Sequence, residues 1–143
     1  MSEPSIAVPS TDPVEVFDRF RDNVLAGSAG LTADLCAEDV VVEMPFAATG
    51  VPRRIVGRDR VVAFAAAGRA ALPVRFDTFR TTALHRTADP EVIVVEYEVT
   101  GTTAGRPATA AFVLALTVRN GRVVHWREYQ DTAAIGRALA DAH

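Results

Sequence analysis

The stretch ATAAFVLALTVRNGRVVHWREYQD, residues 108–131, decides the fold of this chain. Its first half, residues 108–118, is almost continuously apolar, as is typical of a central strand that is covered on both faces. Asn120-Gly121 is the strongest short hairpin signal in the chain. Residues 122–130 are therefore predicted to return antiparallel to the first strand.

Two further strands are predicted just before this hairpin. Residues 74–86 alternate and are rich in threonine, and residues 91–100 form a β-branched run after a turn at residues 87–90. Residues 101–107 are predicted to form the loop that leads into the apolar strand. The second half of the chain therefore indicates a four-stranded antiparallel meander.

Helices are predicted around the meander, most of them before it. Thr11-Asp12-Pro13 is a helix start, because a capping side chain is followed by proline, and apolar residues then recur at helical spacing. A short second helix is expected near residues 32–37, and an alanine-rich third helix over residues 58–72. Asp131-Thr132 can cap a last helix that continues to Leu139.

The remaining strands complete the predicted architecture, with one strand over residues 39–44 and a shorter one near residues 55–56. Helices followed by a meander indicate an α+β fold rather than a parallel α/β sheet. A twisted sheet with helices on one side encloses a cone-shaped space, which is a natural ligand site. We therefore expect a cone-shaped roll in which a curved antiparallel (mixed) β-sheet wraps around the N-terminal helices, with a short C-terminal helix.

The composition is that of one globular domain, predicted over residues 12–143 after a flexible N-terminal tail at residues 1–11. Of the 143 residues, 49% are hydrophobic and 23% are charged. The formal charge is −3 and no tract of Lys and Arg is present, so no nucleic-acid partner is expected. No apolar run approaches the roughly 20 residues that span a bilayer, so no membrane partner is expected either.

The compartment is inferred from cysteine usage and from the start of the chain. Cys36 is the only cysteine, so it cannot form an internal disulfide, and it has no Cys or His nearby at metal-ligand spacing. The first residues lack the basic and apolar regions of a secretory signal. These features predict a cytoplasmic protein with no metal site.

Candidate catalytic groups are carboxylates on strands, because the sequence shows no Gly-rich phosphate loop, serine elbow or histidine-rich metal motif. Glu96 shares one strand face with Val92 and Val94. It points either into water, which the pattern favours because carboxylates are rarely buried unpaired, or into the cavity.

Glu128 shares a strand face with Trp126 and Gln130. If Trp126 packs into the cavity, Glu128 points there too, and a carboxylate beside an indole in a dry pocket has a raised pKa. Such a pKa suits a general acid or base that works near neutrality. The alternative is an exposed Glu128 that pairs with an arginine across strands.

Other side chains have simpler explanations. Glu43 either faces the pocket or merely ends its strand, and an N-cap role explains Asp131 without catalysis. His125 lies opposite Trp126 in strand parity and is assigned to the outer face. The phenylalanines are assigned to the core, with one of them able to line the pocket: Phe17, Phe20, Phe64 and Phe112.

Four stretches of the chain resemble the nuclear transport factor 2-like superfamily, which includes SnoaL-like polyketide cyclases, ketosteroid isomerases and limonene-epoxide hydrolases. They are AEDVVVEMP (37–45), VGRD (56–59), VVEYE (94–98) with Gly101 and Gly105, and NGRVVHWREYQD (120–131). Together they span nearly the whole chain after residue 12. Because this fold hosts many functions, the resemblance implies the fold more specifically than the activity.

Two departures from the resemblance affect the expected chemistry. Met44 stands where ketosteroid isomerases carry their catalytic base, and Leu114 falls near their partner acid, so steroid isomerisation is not expected. Limonene-epoxide hydrolases combine an aspartate at the position of Glu128 with an arginine and a second aspartate on the strand resembling Glu96-Tyr97-Glu98. That arginine is missing here, and epoxide hydrolysis stays an alternative.

The resemblance to SnoaL-like cyclases implies an apolar cavity and one carboxylate that acts as acid or base. The leading hypothesis is a cofactor-free SnoaL-like enzyme, of cyclase or isomerase type, for a small apolar polyketide- or terpenoid-like molecule. The competing class is a non-catalytic ligand-binding or dimerisation module. The candidate catalytic carboxylates are Glu128, Glu96, Glu43 and Asp131. The expected substrate contacts are Trp126, Phe112, Phe17, Phe64 and Leu114.

The resemblance also implies a homodimer formed through the outer face of the sheet. The side chains expected in that interface are Tyr97, His125 and Tyr129.

Overall fold

The computed structural model describes residues 11–140, which form three helices and six strands. In chain order the elements are α1 (Pro13–Leu25), β1 (Cys36–Glu43), β2 (Arg54–Val56), α2 (Arg58–Ala71), β3 (Arg75–Arg86), β4 (Val92–Thr103), β5 (Arg106–Arg119), β6 (Arg122–Gln130) and α3 (Thr132–Ala140). The tail predicted over residues 1–11 lies, except for residue 11, outside the described residues.

One mixed sheet organises this part of the chain. Its six strands lie in the order β2-β1-β6-β5-β4-β3. Strand β1 runs parallel to β6, whereas every other neighbouring pair is antiparallel. The predicted meander, β3 to β6, is confirmed, and so is the α+β fold with a short C-terminal helix.

Helix α1 covers one face of the sheet, called the inner face from here on. The Asp12 side chain caps the helix by accepting a hydrogen bond from the Val14 backbone N–H at 2.9 Å, and Pro13 occupies the first turn. Phe17 and Phe20 are buried beneath it. The Phe20 ring lies 4.6 Å from the Trp126 ring of β6, and this aromatic contact holds α1 against the sheet.

A bulge in β6 resets the alternation of its side chains. Val118 of β5 pairs with Val123, and Thr117 pairs with His125, so Val124 is an extra residue. Val123 and Trp126 are consequently both buried, with exposed fractions of 0% and 3%. Simple alternation would place these two side chains on opposite faces, because it does not include the extra residue.

The short helix predicted near residues 32–37 does not form. A single turn replaces it, in which the Leu35 N–H donates to the Thr32 carbonyl at 3.1 Å, and β1 begins at Cys36. The Val123 N–H donates to the Leu35 carbonyl at 2.7 Å. Pairing with β6 thus occupies a carbonyl that a longer helix would need for its own hydrogen bonds.

The loop predicted over residues 101–107 is much shorter than expected. Strand β4 continues to Thr103 and β5 begins at Arg106, so two residues form the whole turn. Ala104 and Gly105 have φ angles of 51° and 77°. Positive φ at both positions matches the type I′ turn, whose twist fits the twist of the flanking strands.

The turn generates a stability prediction. Ala104→Asn is expected to raise the free energy of unfolding by about 0.5–1 kcal/mol, because asparagine tolerates the left-handed conformation better than alanine. Urea unfolding monitored by circular dichroism measures the change. Gly105→Ala is the matched control and should lower stability by a similar amount; a lower stability for Ala104→Asn would contradict this account of the turn.

Candidate functional site

An apolar cavity of about 320 Å³ lies on the inner face, between α3 and the adjoining ends of β4 and β5. Its wall includes Phe76, Val99, Phe112, Ile135 and Leu139. The volume lies near the lower end of the range of roughly 300–1,000 Å³ that is usual for small-molecule sites. The cavity therefore suits a compact ligand.

The cavity exists because the inner side chains of β5 are small near the start of the strand. Leu116 and Leu114 are fully buried in the core, whereas Ala110 and Ala108 line the cavity. Gly101, which pairs with Ala108 from β4, lines it as well. These small residues leave unfilled the space that larger side chains occupy elsewhere in the core.

Glu128 places a partly buried carboxyl group on the inner face of β6. The Tyr97 hydroxyl donates a hydrogen bond to Glu128 Oε1 at 2.5 Å, and Gln130 Nε2 donates to Glu128 Oε2 at 2.8 Å. Trp126, whose side chain has only the indole N–H as a donor, adds a third hydrogen bond. Glu128 therefore points inward with Trp126, which is the first of the two arrangements considered for it.

Tyr97 reaches Glu128 from β4, across the intervening strand β5. Its ring is stacked between Phe79, at 4.8 Å and 8°, and Phe112, at 5.0 Å and 13°, and the residue is only 2% exposed. The prediction that Tyr97 lies on the outer face is wrong. The inner position gives its ring aromatic neighbours and gives its hydroxyl a carboxylate acceptor.

Burial changes the acid–base properties of this pair. Loss of hydration raises the pKa of the Glu128 carboxyl above its ordinary value of 4.5, and the hydrogen bonds from Tyr97, Gln130 and Trp126 oppose that rise. Loss of hydration, and then the neighbouring Glu128 carboxylate, raise the pKa of Tyr97 well above 10.0. Tyr97 thus keeps its proton, while Glu128 can exchange a proton closer to neutral pH.

Two residues connect this polar centre with the cavity. Gln130 lines the cavity and also donates to Glu128. Phe112 lines the cavity and also stacks on Tyr97. The polar centre therefore lies directly behind one end of the cavity wall.

The other three candidate carboxylates lie elsewhere. Glu96 is on the outer face and forms a hydrogen bond with His85 Nε2 at 2.9 Å, which is the solvent-facing alternative that the pattern favoured. Glu43 lies within 3.5 Å of His125 and 3.8 Å of Arg54. The Asp131 side chain accepts a hydrogen bond from the Ala134 N–H at 3.0 Å, as a cap of α3 should. The structure therefore does not bring these three carboxylates together with Glu128.

Of the five expected substrate contacts, the cavity wall contains Phe112. Trp126, Phe17 and Leu114 are buried in the core with exposed fractions of 3%, 1% and 0%. Phe64 lies on α2 and is 36% exposed. The cavity thus opens further along the sheet than the region around Trp126.

Sequence reasoning missed Tyr97 and Gln130 as parts of the site. Gln130 has the strand parity of Glu128, so a search for inward polar residues on β6 would have found it. Tyr97 has the parity of Ile93 and Val95, both buried, which is the signal that it too points inward. If the inner face of β4 had been assigned from its aliphatic residues, Tyr97 would have been predicted to point inward, towards the site.

Three further observations limit the chemistry that is expected of this part of the chain. No group of three or more His, Cys, Asp or Glu side chains within residues 11–140 is arranged to hold a metal ion. Burial raises the pKa of the Cys36 thiol to about 11, which disfavours the reactive thiolate. No helix in the described part of the chain is long and apolar enough to cross a membrane.

The raised pKa of Glu128 generates a prediction about stability. Below about pH 4.5 the carboxyl is neutral in the folded and the unfolded chain, and its favourable contribution is lost as the pH rises through the higher folded-state pKa. Glu128→Gln lacks this titration. The free energy of unfolding of the variant, relative to the natural chain, should therefore increase as the pH rises from about 4 to 8. Denaturant unfolding at a series of pH values measures it, and a pH-independent difference would contradict the raised pKa.

Comparison with known proteins places this geometry in a family. A family model for the SnoaL-like domain matches residues 17–126. The uncharacterised protein YesE of Bacillus subtilis (strain 168) is 23% identical over 127 residues, covering 87% of this chain and 85% of YesE.

Solved structures share the fold as well. A protein of Bacillus subtilis, provisionally described as an isomerase, has a TM-score of 0.80 at 22% identity, with 90% of this chain and 92% of that chain covered. IdmH of Streptomyces antibioticus, provisionally described as a polyketide cyclase, has a TM-score of 0.69 at 18% identity, with 90% and 98% covered. The match over most of its length and the shared fold show that the chain belongs to the SnoaL-like family of the nuclear transport factor 2-like superfamily.

Proposed function

We propose that this chain is a cofactor-free acid–base enzyme that binds a small, largely apolar polyketide- or terpenoid-like molecule and transfers a proton through Glu128. The observation that carries the proposal is the inward carboxyl of Glu128 directly behind the wall of an apolar cavity. Of the four candidate carboxylates, it is the one that lies on the inner face. Fold relatives described as an isomerase and a polyketide cyclase add support.

The reaction class follows from the groups present at the site. An ionised Glu128 can take a proton from a carbon next to a carbonyl, so that the C–H bond breaks, an O–H bond forms and the electron pair moves to the carbonyl oxygen as an enolate. Return of the proton to another carbon gives an isomer. Attack of the enolate carbon on a second carbonyl gives a ring by aldol closure, with the proton returned to the new alkoxide.

Tyr97 supports this chemistry by positioning the carboxyl. Its hydroxyl stays protonated because of its raised pKa, so it donates to Glu128 throughout the cycle. The aromatic stack of Phe79 and Phe112 fixes the direction of that hydroxyl. Since Tyr97 is the β4 residue that faces Glu128, no arginine stands there to complete a hydrolase triad, and this favours proton transfer over epoxide opening.

Proton transfer can be tested without knowing the natural substrate. We expect the chain to accelerate exchange of the α-hydrogens of 2-tetralone in D₂O, a bicyclic ketone compact enough for the cavity. Glu128→Gln should reduce the enzyme-dependent exchange by about 100-fold, because it removes the base. Proton NMR of the ketone measures the rate.

Glu96→Gln is the matched control for this experiment, because Glu96 lies on the outer face. It should leave the exchange rate unchanged. Exchange that survives Glu128→Gln but is lost in Glu96→Gln would overturn the assignment of the base. Binding of 2-tetralone with no exchange would instead favour a non-catalytic binding module.

We also propose that two copies of the chain pair through the outer face of the sheet. The central strand β5 presents Val113, which is 37% exposed, between the acidic β4, with Glu96 and Glu98, and the basic β6, with Arg127. A two-fold axis along β5 lays β4 of one copy over β6 of the other, so that the charges oppose.

Charge reversal tests the dimer. Arg127→Glu should weaken self-association at least tenfold, because the partner surface would then oppose like charges, and combining it with Glu98→Arg should restore association in part. Size-exclusion chromatography with light scattering measures the molar mass against concentration. A monomeric natural chain, or equal association of all three proteins, would contradict the proposed interface.

A further inference from the structure

Among residues 11–140, Gln130 is the polar side chain that joins the carboxyl of Glu128 with the cavity. It lies two residues after Glu128 on the same face of β6 and ends the strand at the cavity wall. The neighbouring wall residues Phe112, Val99 and Ile135 are apolar. A ligand in the cavity therefore meets Gln130 before it meets Glu128.

The orientation of the Gln130 amide is fixed by its neighbours. Nε2 donates to Glu128 Oε2 at 2.8 Å and lies 4.0 Å from the sulfur of Met44, a weak acceptor. A carboxylate accepts hydrogen bonds and repels a carbonyl oxygen, so the nitrogen must face Glu128. Within residues 11–140 no donor bonds to Gln130 Oε1, which leaves the carbonyl end of the amide available.

We propose that Gln130 selects and positions the ligand: one of its N–H groups holds Glu128, and its carbonyl oxygen accepts a hydrogen bond from a hydroxyl or N–H group at one end of the bound molecule. The preferred ligand is therefore an apolar molecule with a terminal donor, such as an enol or phenol. This inference rests on the proposed function and names the polar group that its substrate carries.

The polarity of the cavity determines which end of the ligand reaches the carboxyl. Thr103 lies six residues beyond Tyr97 along β4, about 20 Å away, and the inner-face residues between them, Val99 and Gly101, are apolar. Thr109 also lines the cavity, but its hydroxyl is already hydrogen-bonded to that of Thr100 at 2.8 Å. A ligand hydroxyl in that middle region would therefore lose water with little compensation, which is unfavourable. The donor end consequently points to Gln130, and the adjacent carbon lies on the side of Glu128.

A matched pair of probes tests the proposal on the full chain. 2-Naphthol and 2-methoxynaphthalene have similar ring systems, but only the first has a donor. Isothermal titration calorimetry should show that the natural chain binds 2-naphthol about tenfold more tightly, as expected for one hydrogen bond in an apolar site. Gln130→Met, which keeps the length of the side chain and removes the amide, should abolish this preference while leaving the affinity for 2-methoxynaphthalene within about twofold.

A second readout separates positioning of the carboxyl from simple packing. Loss of the Gln130 N–H donor should raise the pKa of Glu128 in Gln130→Met, because that hydrogen bond favours the charged form. Carbon-13 NMR titration of the glutamate carboxyl carbons measures the shift. Thr82→Val, which removes a hydroxyl from β3 that bonds to the Glu96 backbone carbonyl, is the control and should alter neither the probe preference nor this pKa.

The outcomes distinguish this inference from the proposed function. Equal binding of the two probes by the natural chain, or an equal loss of both in Gln130→Met, would overturn the role of Gln130 while the cavity remains a binding site. Failure of both probes to bind would overturn the proposed ligand class together with this inference. If Gln130→Met does not fold, Gln130→Leu gives the same comparison.

Discussion

The hydrogen bond between Tyr97 and Glu128 is the interaction on which the rest of the inner face depends. It joins β4 to β6 across β5 and gives a partly buried carboxyl its first donor. Without such donors a carboxyl on this face would have to be protonated or hydrated. The aromatic stack around Tyr97 excludes water from one side of the pair. On the other side, Gln130 donates a further hydrogen bond to the Glu128 carboxyl. The same contact thus packs the aromatic side chains of the inner face and holds its acidic group.

The cavity lies on the same face of the sheet, further along strands β4 and β5. Where β5 carries leucines on the inner face, the core is filled, and where it carries Ala110 and Ala108, α3 closes over open space. Gly101 also lines that space, and the side chain of Val74 packs so closely on its backbone that a Cβ there would lie only 2.4 Å from it. The space for an apolar ligand therefore comes from the small inner side chains at one end of β4 and β5.

Much of the fold could be predicted because its signals are local. Asn120-Gly121 specified the β5–β6 hairpin, and Asp12-Pro13 specified the start of α1, through turn and capping preferences that do not depend on distant residues. Residues 32–37 escaped prediction because pairing with β6 overrides a weak helical tendency. The turn at Ala104-Gly105 escaped it because alanine is an unusual residue at positive φ.

The site was harder to predict than the fold, since it depends on contacts between distant strands. The inward direction of Glu128 could be inferred from Trp126, but its partner Tyr97 is separated from it by a whole strand in the sheet. The location of the cavity depends on how α3 lies over Ala108 and Ala110, which strand parity does not specify.

The bulge at Val124 has a consequence for how this protein can change over evolutionary time. Val124 is the extra residue, so its loss would leave Thr117 opposite His125 and Leu116 opposite Trp126, and Glu128 would still point inward. Loss of Arg127 would instead shift the residues after it by one position, so that Glu128 would point to solvent. Single-codon deletions are therefore expected to be tolerated at the bulge and not between the bulge and the carboxyl. Relatives that keep the inward carboxyl are expected to differ in length at the first of these places and not at the second.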